Sequence, residues 1–133
     1  MAFDRNKEFI FKIQELRMTT KEAGDKLEDE TLSFTYIDGD HTLRGITIDL
    51  NVIYPKTRSY GLIGGDDFTK NIWQHSAQYD PTEVFPYALY FAEAKNCTVF
   101  TLPYNQFLIF KNNHFEVFDY GGYVKLEPKN VYR

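Results

Sequence analysis

Cysteine is nearly missing from this chain: Cys97 stands alone among 133 residues. No disulfide can close within it, so burial must hold the fold together, and a reducing, cytoplasmic setting is expected. Long apolar runs are missing as well. Nothing approaches the roughly 20 consecutive apolar residues that a membrane span needs. The amino terminus, MAFDRNKEF, is charged from its fourth residue, so neither secretion nor membrane insertion is expected. Positive charge is in deficit: the formal net charge is −4 and no Lys/Arg cluster stands out. That balance argues against a nucleic-acid partner, whose phosphates demand a basic face. Repeats, low-complexity tracts and linkers are absent, and a chain of this length makes one domain that buries about two-thirds of the surface it exposes when unfolded. No G-x-G turn precedes Phe34, so the Gly-rich opening of a nucleotide-binding unit is lacking there. Aromatic residues, by contrast, are plentiful at 17%. Such an excess hints at a surface made for a partner as well as a core.

What is present concentrates in Phe34 to Phe68, FTYIDGDHTLRGITIDLNVIYPKTRSYGLIGGDDF. Phe34 to Ile37 is short, aromatic and β-branched and stops at Asp38-Gly39-Asp40-His41, the pattern of a buried strand that empties into a polar turn. From Leu43 the period changes. Leu43, Ile46, Leu50, Ile53 and Tyr54 recur at helical steps, with Thr42 as N-cap and Pro55 limiting the far end. Past Ser59-Tyr60-Gly61, a second strand at Leu62 and Ile63 runs through Gly64-Gly65 into Asp66-Asp67. A strand, helix, strand unit of this kind closes by a right-handed crossover, which brings Asp38, Asp66 and Asp67 to one end of a parallel pair. Open α/β sheets hold their ligands at that end.

Converging carboxylates repel, by roughly 4 kcal/mol for a pair about 4 Å apart at an effective dielectric of 20. They must be protonated, paired with a cation or kept wet. A hard divalent ion suits oxygen-only ligands, which favours magnesium, manganese or calcium over zinc. Equally, Asp and Gly are ordinary turn and cap residues, and His41 beside two acids serves as a salt-bridge partner in many structures.

These pieces, Ile37-Asp38-Gly39-Asp40-His41, then Asp49-Leu50, then Gly64-Gly65-Asp66-Asp67, resemble the middle of a class I S-adenosylmethionine-dependent methyltransferase. The group in question is the metal-dependent O-methyltransferases, which hold a divalent ion with an acid after the fourth strand and an acid pair after the fifth. The resemblance places Asp38 at the first position and Asp66 with Asp67 at the second, 28 residues on. It implies magnesium or manganese at Asp38, Asp66 and Asp67, His41 as general base with Asp38 beside it at the catalytic centre, and S-adenosylmethionine as cofactor. Thr19, Thr20 and Lys21 fall where the family contacts the adenine, with Asp38 on the same cofactor site, although Thr-Thr-Lys-Glu is also an ordinary helix start. A small-molecule hydroxyl, on a sugar or another polar metabolite, is the implied acceptor. The metal would lower the acceptor's pKa and His41 would take its proton.

The fold so implied is α/β, a Rossmann-like methyltransferase sheet that is N-terminally truncated and has antiparallel C-terminal strands. Residues 1–33 would be a remnant of the N-terminal half, 34–112 the catalytic-half core and 113–133 a C-terminal hairpin extension. Within the remnant, Arg5 to Ile13 reads as a helix, Gln14 to Met18 as a strand and Thr20 to Glu28 as a helix. Downstream, Asp80-Pro81 to Lys95 reads as a helix with Val84, Phe85, Ala88, Leu89 and Ala92 inward, delayed or kinked by Pro86. Strands at Thr98 to Leu102 and Phe107 to Lys111 flank Pro103-Tyr104-Asn105-Gln106, and Phe115 to Val124 reads as a further hairpin turning at Gly121-Gly122. The segment from Thr69 to Tyr79, with Trp73, His75 and Tyr79, is placed over the acids, as a gate or as plain packing.

Two other functions fit the same residues. Asp38-Gly39-Asp40 matches the D-x-D of nucleotide-sugar glycosyltransferases, in which manganese bridges acids to a diphosphate. A decayed half-domain could instead survive as a non-catalytic oligomeric module. In either methyltransferase-like case a sheet short of its first strands leaves a bare flank, so a homo-oligomer is expected.

Overall fold

The computed structural model describes residues 12–69 and 82–123. Eight elements follow in order: α1 (Thr20–Lys26), β1 (Leu32–Ile37), α2 (Leu43–Lys56), β2 (Thr57–Gly65), α3 (Val84–Ala94), β3 (Thr98–Leu102), β4 (Gln106–Phe110) and β5 (Val117–Asp119). They form an α/β unit around one mixed sheet of five strands in the order β1-β2-β4-β3-β5, an arrangement compatible with a Rossmann-like fold. β1 and β2 run parallel, with Ile37 opposite Gly65. β4 is antiparallel to both of its neighbours, β2 and β3.

Strand alternation sorts the side chains into two faces. One carries Ile63, Val99, Phe107 and Ile109, which pack with Ile46, Leu50 and Ile53 of α2 and with Val84, Ala88, Phe91 and Ala92 of α3 in a single buried cluster. Burying each of the Val, Leu, Ile and Phe side chains among them contributes about 1.5 to 3 kcal/mol before ordering costs. α1 docks on α2, so the described helices share this face. Among the described residues nothing covers the other face: Phe34 and Tyr36 are about half exposed, and Leu62, Phe100, Leu102, Leu108, Phe110 and Tyr120 line an apolar groove of about 360 Å³.

Several expectations are corrected here. Phe34 to Ile37 is not a buried strand but part of an edge strand with one face open, because nothing described pairs with its outer side. Gln14 to Met18 is not a strand. α1 ends at Lys26 instead of Glu28. α2 continues through Pro55 to Lys56; in a last turn the missing N–H forfeits one bond, and Thr57 closes the helix by donating its N–H to the Ile53 and Tyr54 carbonyls. β2 begins at Thr57 because Tyr60 takes a left-handed φ of 63° and donates its N–H to the Lys111 carbonyl at 2.8 Å. The Ser59-Tyr60-Gly61 turn is thereby absorbed into the strand. Residues 115–123 form no hairpin: β5 runs parallel to β3 at the far edge, fixed by Tyr123, whose hydroxyl donates to the Phe68 carbonyl and whose ring stacks on Phe85 at 5.3 Å. Residues 5–11 of the expected first helix, residues 70–81 with Trp73, His75 and Tyr79, and Val124 lie outside the described residues.

Candidate functional site

The parallel pairing of β1 and β2 sets the site. Because Ile37 faces Gly65, and the Asp66 N–H donates to the Ile37 carbonyl at 3.1 Å, Asp38 and Asp66 leave the sheet side by side. Asp67 follows with a left-handed φ of 62°, a conformation that Asp tolerates better than most residues. Asp38 is exposed, whereas Asp66 and Asp67 are half-buried. All three act on one group that sequence reasoning missed, Tyr36. Partial burial first, then the charges of Asp66, Asp38 and Asp67, push its phenol above the ordinary tyrosine range. The acids thus share one electrostatic neighbourhood on the open side of the sheet.

Sharing a field is less than forming a ligand set. Among the described residues no three His, Cys, Asp or Glu side chains gather closely enough to hold a metal ion. A cation at Asp38, Asp66 and Asp67 would have to draw the carboxylates together.

The turn after β1 is built tightly. Asp40 accepts the Thr42 N–H at 3.0 Å, Thr42 caps α2 by accepting the Gly45 N–H at 3.2 Å, and the His41 carbonyl accepts the Glu83 N–H at 2.9 Å. The Thr42 amide bond, then the Thr42 side chain, with the charges of His41 and Arg44 adding to them, hold the Asp40 carboxyl below its usual range. Asp40 therefore shapes the loop. His41 is half-buried and is anchored through its backbone to the start of α3. Gly45 must lack a side chain, since a Cβ there would lie 2.3 Å from the Asp40 carbonyl oxygen.

Thr19, Thr20 and Lys21 begin α1. Thr19 caps the helix reciprocally with Glu22: it accepts the Glu22 N–H at 3.2 Å and its own N–H reaches the Glu22 carboxylate at 2.9 Å. The same three residues line a cleft of about 500 Å³ together with Met18, Gly39, Asp40 and Ile48. A smaller lobe of about 200 Å³ joins Thr20 to Thr35, Ile37, Asp38 and Ile53. Both lobes share Thr20, Gly39 and Asp49, the last a residue that the sequence reading placed at no site. The 3.6-residue period counts position 49 on the buried face of α2, and there it is only 9% exposed; an acid on that face was the available signal.

No family model and no curated relative matches the chain. Among solved structures, it is similar to a protein of Corynebacterium glutamicum determined by structural genomics, with a TM-score of 0.57 at 13% identity. The match covers 73% of this chain and 46% of that one, so the chain spans less than half of that protein's length. At this identity the likeness concerns the fold alone.

Proposed function

We propose that the chain is a methyltransferase-like domain that transfers a methyl group from S-adenosylmethionine to a hydroxyl of a sugar or another small polar metabolite. The observation that carries this reading is the Ile37–Gly65 pairing. It sets the Asp38-Gly39-Asp40-His41 turn beside Asp66-Asp67 at the carboxyl end of a parallel pair, where such sheets bind ligands, and the start of α1 faces that turn across a cleft. An antiparallel β3–β4 hairpin after the parallel pair supports the reading.

The bound cofactor supplies a methyl group activated by a sulfonium. Thr19, Thr20, Lys21 and Asp38 line the cleft that takes its adenosine part. Asp38, beside Asp66, orients the acceptor hydroxyl, and alignment of this kind lowers a barrier by as much as about 7 to 11 kcal/mol in intramolecular cases. His41 accepts the hydroxyl proton as the carbon–sulfur bond breaks and the carbon–oxygen bond forms, leaving a methyl ether and an imidazolium. Asp38, Asp66 and Asp67 are the carboxylates that would hold magnesium or manganese, which would lower the pKa of an acceptor hydroxyl.

The partner proposed for the bare sheet face is a second copy of the chain. An uncovered apolar face next to an edge strand favours association, and a stable homodimer would bury more than roughly 1,000 Å².

A thermal-shift comparison tests the function. S-adenosylhomocysteine should raise the melting temperature, and UDP-sugars with manganese should not. A rise with UDP-sugars alone would favour the D-x-D glycosyltransferase reading. No rise with either would leave the non-catalytic oligomeric module.

A further inference from the structure

We propose that a cleft at the end of the sheet opposite Asp38 and Asp66 binds a small zwitterion, with an ammonium group and a carboxylate on one short carbon chain. The methyl-transfer reading does not enter into it. The cleft measures about 530 Å³ and opens between the carboxyl-terminal halves of α2 and α3. Its walls are pinned to the end of α2. Glu30 takes a left-handed φ of 57°, uncommon for a residue with a side chain, and is held there by its N–H, which donates to the Pro55 carbonyl at 3.0 Å, and by the Thr31 N–H, which donates to the Lys56 carbonyl at 2.9 Å. Lys111 is tied to the same helix end, its Nζ donating to the Tyr54 and Thr57 carbonyls at 3.0 and 2.7 Å. Glu30 leads into β1 and Lys111 follows β4, and these strands are the two neighbours of β2. The acid and the cation therefore reach the cleft from opposite sides of β2.

The charges that the protein settles internally leave one of each sign open to a ligand. Asp29 is paired with Lys56 at 2.8 Å, and Lys111 commits two of its three donors to the helix end. Glu30 and Lys95 line the cleft, are exposed, and form no ion pair among the described residues. The floor is aromatic: Tyr54 and Phe91 meet edge to face at 5.5 Å. Lys95 Nζ stands 5.3 Å from the centre of the Tyr54 ring and 5.8 Å from that of Phe91, and Lys111 Nζ stands 4.3 Å from the centre of the same Tyr54 ring. Two ammonium groups on one ring repel each other, and an anion that joins them relieves the repulsion. An anion alone would also face the Glu30 carboxylate, and a cation alone would face the two lysines. A zwitterion satisfies both signs. Its carboxylate accepts from Lys95 and from the third donor of Lys111, its ammonium donates to Glu30, and its carbon chain lies on the rings. Because backbone and side-chain bonds already fix Glu30 and Lys111, little ordering cost falls on binding.

Titration of isotope-labelled protein with 4-aminobutyrate, butyrate and butylamine, followed by NMR, decides the matter. The wild type should bind 4-aminobutyrate about tenfold or more tightly than either singly charged compound, as befits an added hydrogen bond between charged groups. Its amide shifts should centre on Glu30, Tyr54, Phe91, Lys95 and Lys111. In Lys95→Gln the advantage over butylamine should fall below about threefold, and in Glu30→Gln the advantage over butyrate should fall likewise. Equal affinity for the three compounds in the wild type, no saturable shift with 4-aminobutyrate, or shifts centred on the Asp38 and Asp66 end each overturn the proposal without any variant. Preferences that persist unchanged in both folded variants overturn it as well. All these outcomes leave the methyl-transfer reading to its own test with S-adenosylhomocysteine.

Discussion

Asp49 stands close to Gly39 across ten positions of sequence: its Oδ2 lies 3.2 Å from where a Cβ on that glycine would be, so α2 leaves little room at the turn after β1. The turn is held a second time at Gly45, where a Cβ would come within 2.3 Å of the Asp40 carbonyl. Gly45→Ala should therefore destabilise the protein by about 1 to 3 kcal/mol through overpacking. Helix propensity alone predicts a gain of about 1 kcal/mol for the same change. Urea denaturation separates the two, and a more stable variant would mean that the turn does not pack on α2 as described. Gly39→Ala should cost less, because the facing atom ends a side chain and not a backbone segment.

His41 is expected to act on the proton and not on binding. With S-adenosylmethionine and a hydroxyl acceptor that the wild type turns over, His41→Ala should lower kcat by about 100-fold or more while leaving S-adenosylhomocysteine affinity within about twofold. Loss of cofactor affinity in its place would assign His41 to the architecture of the turn.

The acid trio is best probed with manganese. Asp67→Asn removes a charge yet keeps a residue that accepts the left-handed backbone at φ 62°, so folding is preserved. Manganese affinity, followed by paramagnetic relaxation, should fall about tenfold or more in this variant if the three carboxylates close on the ion. Identical affinities would remove the metal from the site.

The half-buried phenol of Tyr54 supplies a pH dependence with a definite sign. Burial, and then the neighbouring Cys97 thiol, push its pKa up to about 12. An unfolded tyrosine loses its proton near 10. Between these values the unfolded chain has released a proton that the folded chain still holds, so this group's stabilisation, complete below pH 10, is lost as pH rises through about 12. Tyr54→Phe should flatten that fall in a series of urea melts. An equally steep decline in the variant would place the alkaline sensitivity elsewhere.

Association through the bare sheet face is checked by light scattering at micromolar concentration. The wild type should show the mass of a dimer or larger assembly. Phe34→Asp, on an exposed side chain whose loss leaves the core intact, should shift it to a single chain. A wild type that is monomeric at every concentration would refute self-association.

Periodicity and turn chemistry made much of this legible in the residues alone. The run of Ile46, Leu50 and Ile53 fixed the inner face of α2, Thr42 its start, and the Gly64-Gly65-Asp66-Asp67 punctuation the end of β2. Those signals are local, arising from side-chain period and from backbone groups that need capping within a few residues. Three matters were decided only by tertiary contacts. Whether β1 had neighbours on both sides depended on pairing with chain distant in sequence, and the strand turned out to be an edge. β5 took its place through Tyr123 reaching Phe68, 55 residues away, against a Gly-Gly signal that favoured a hairpin. Asp49, read from the sequence as one acid in a helical motif, came to line a cleft only when α1 and the β1 turn were brought beside it. A sequence states which groups a residue carries. The burial of such a group, and the cleft that it lines, exist only in the folded chain.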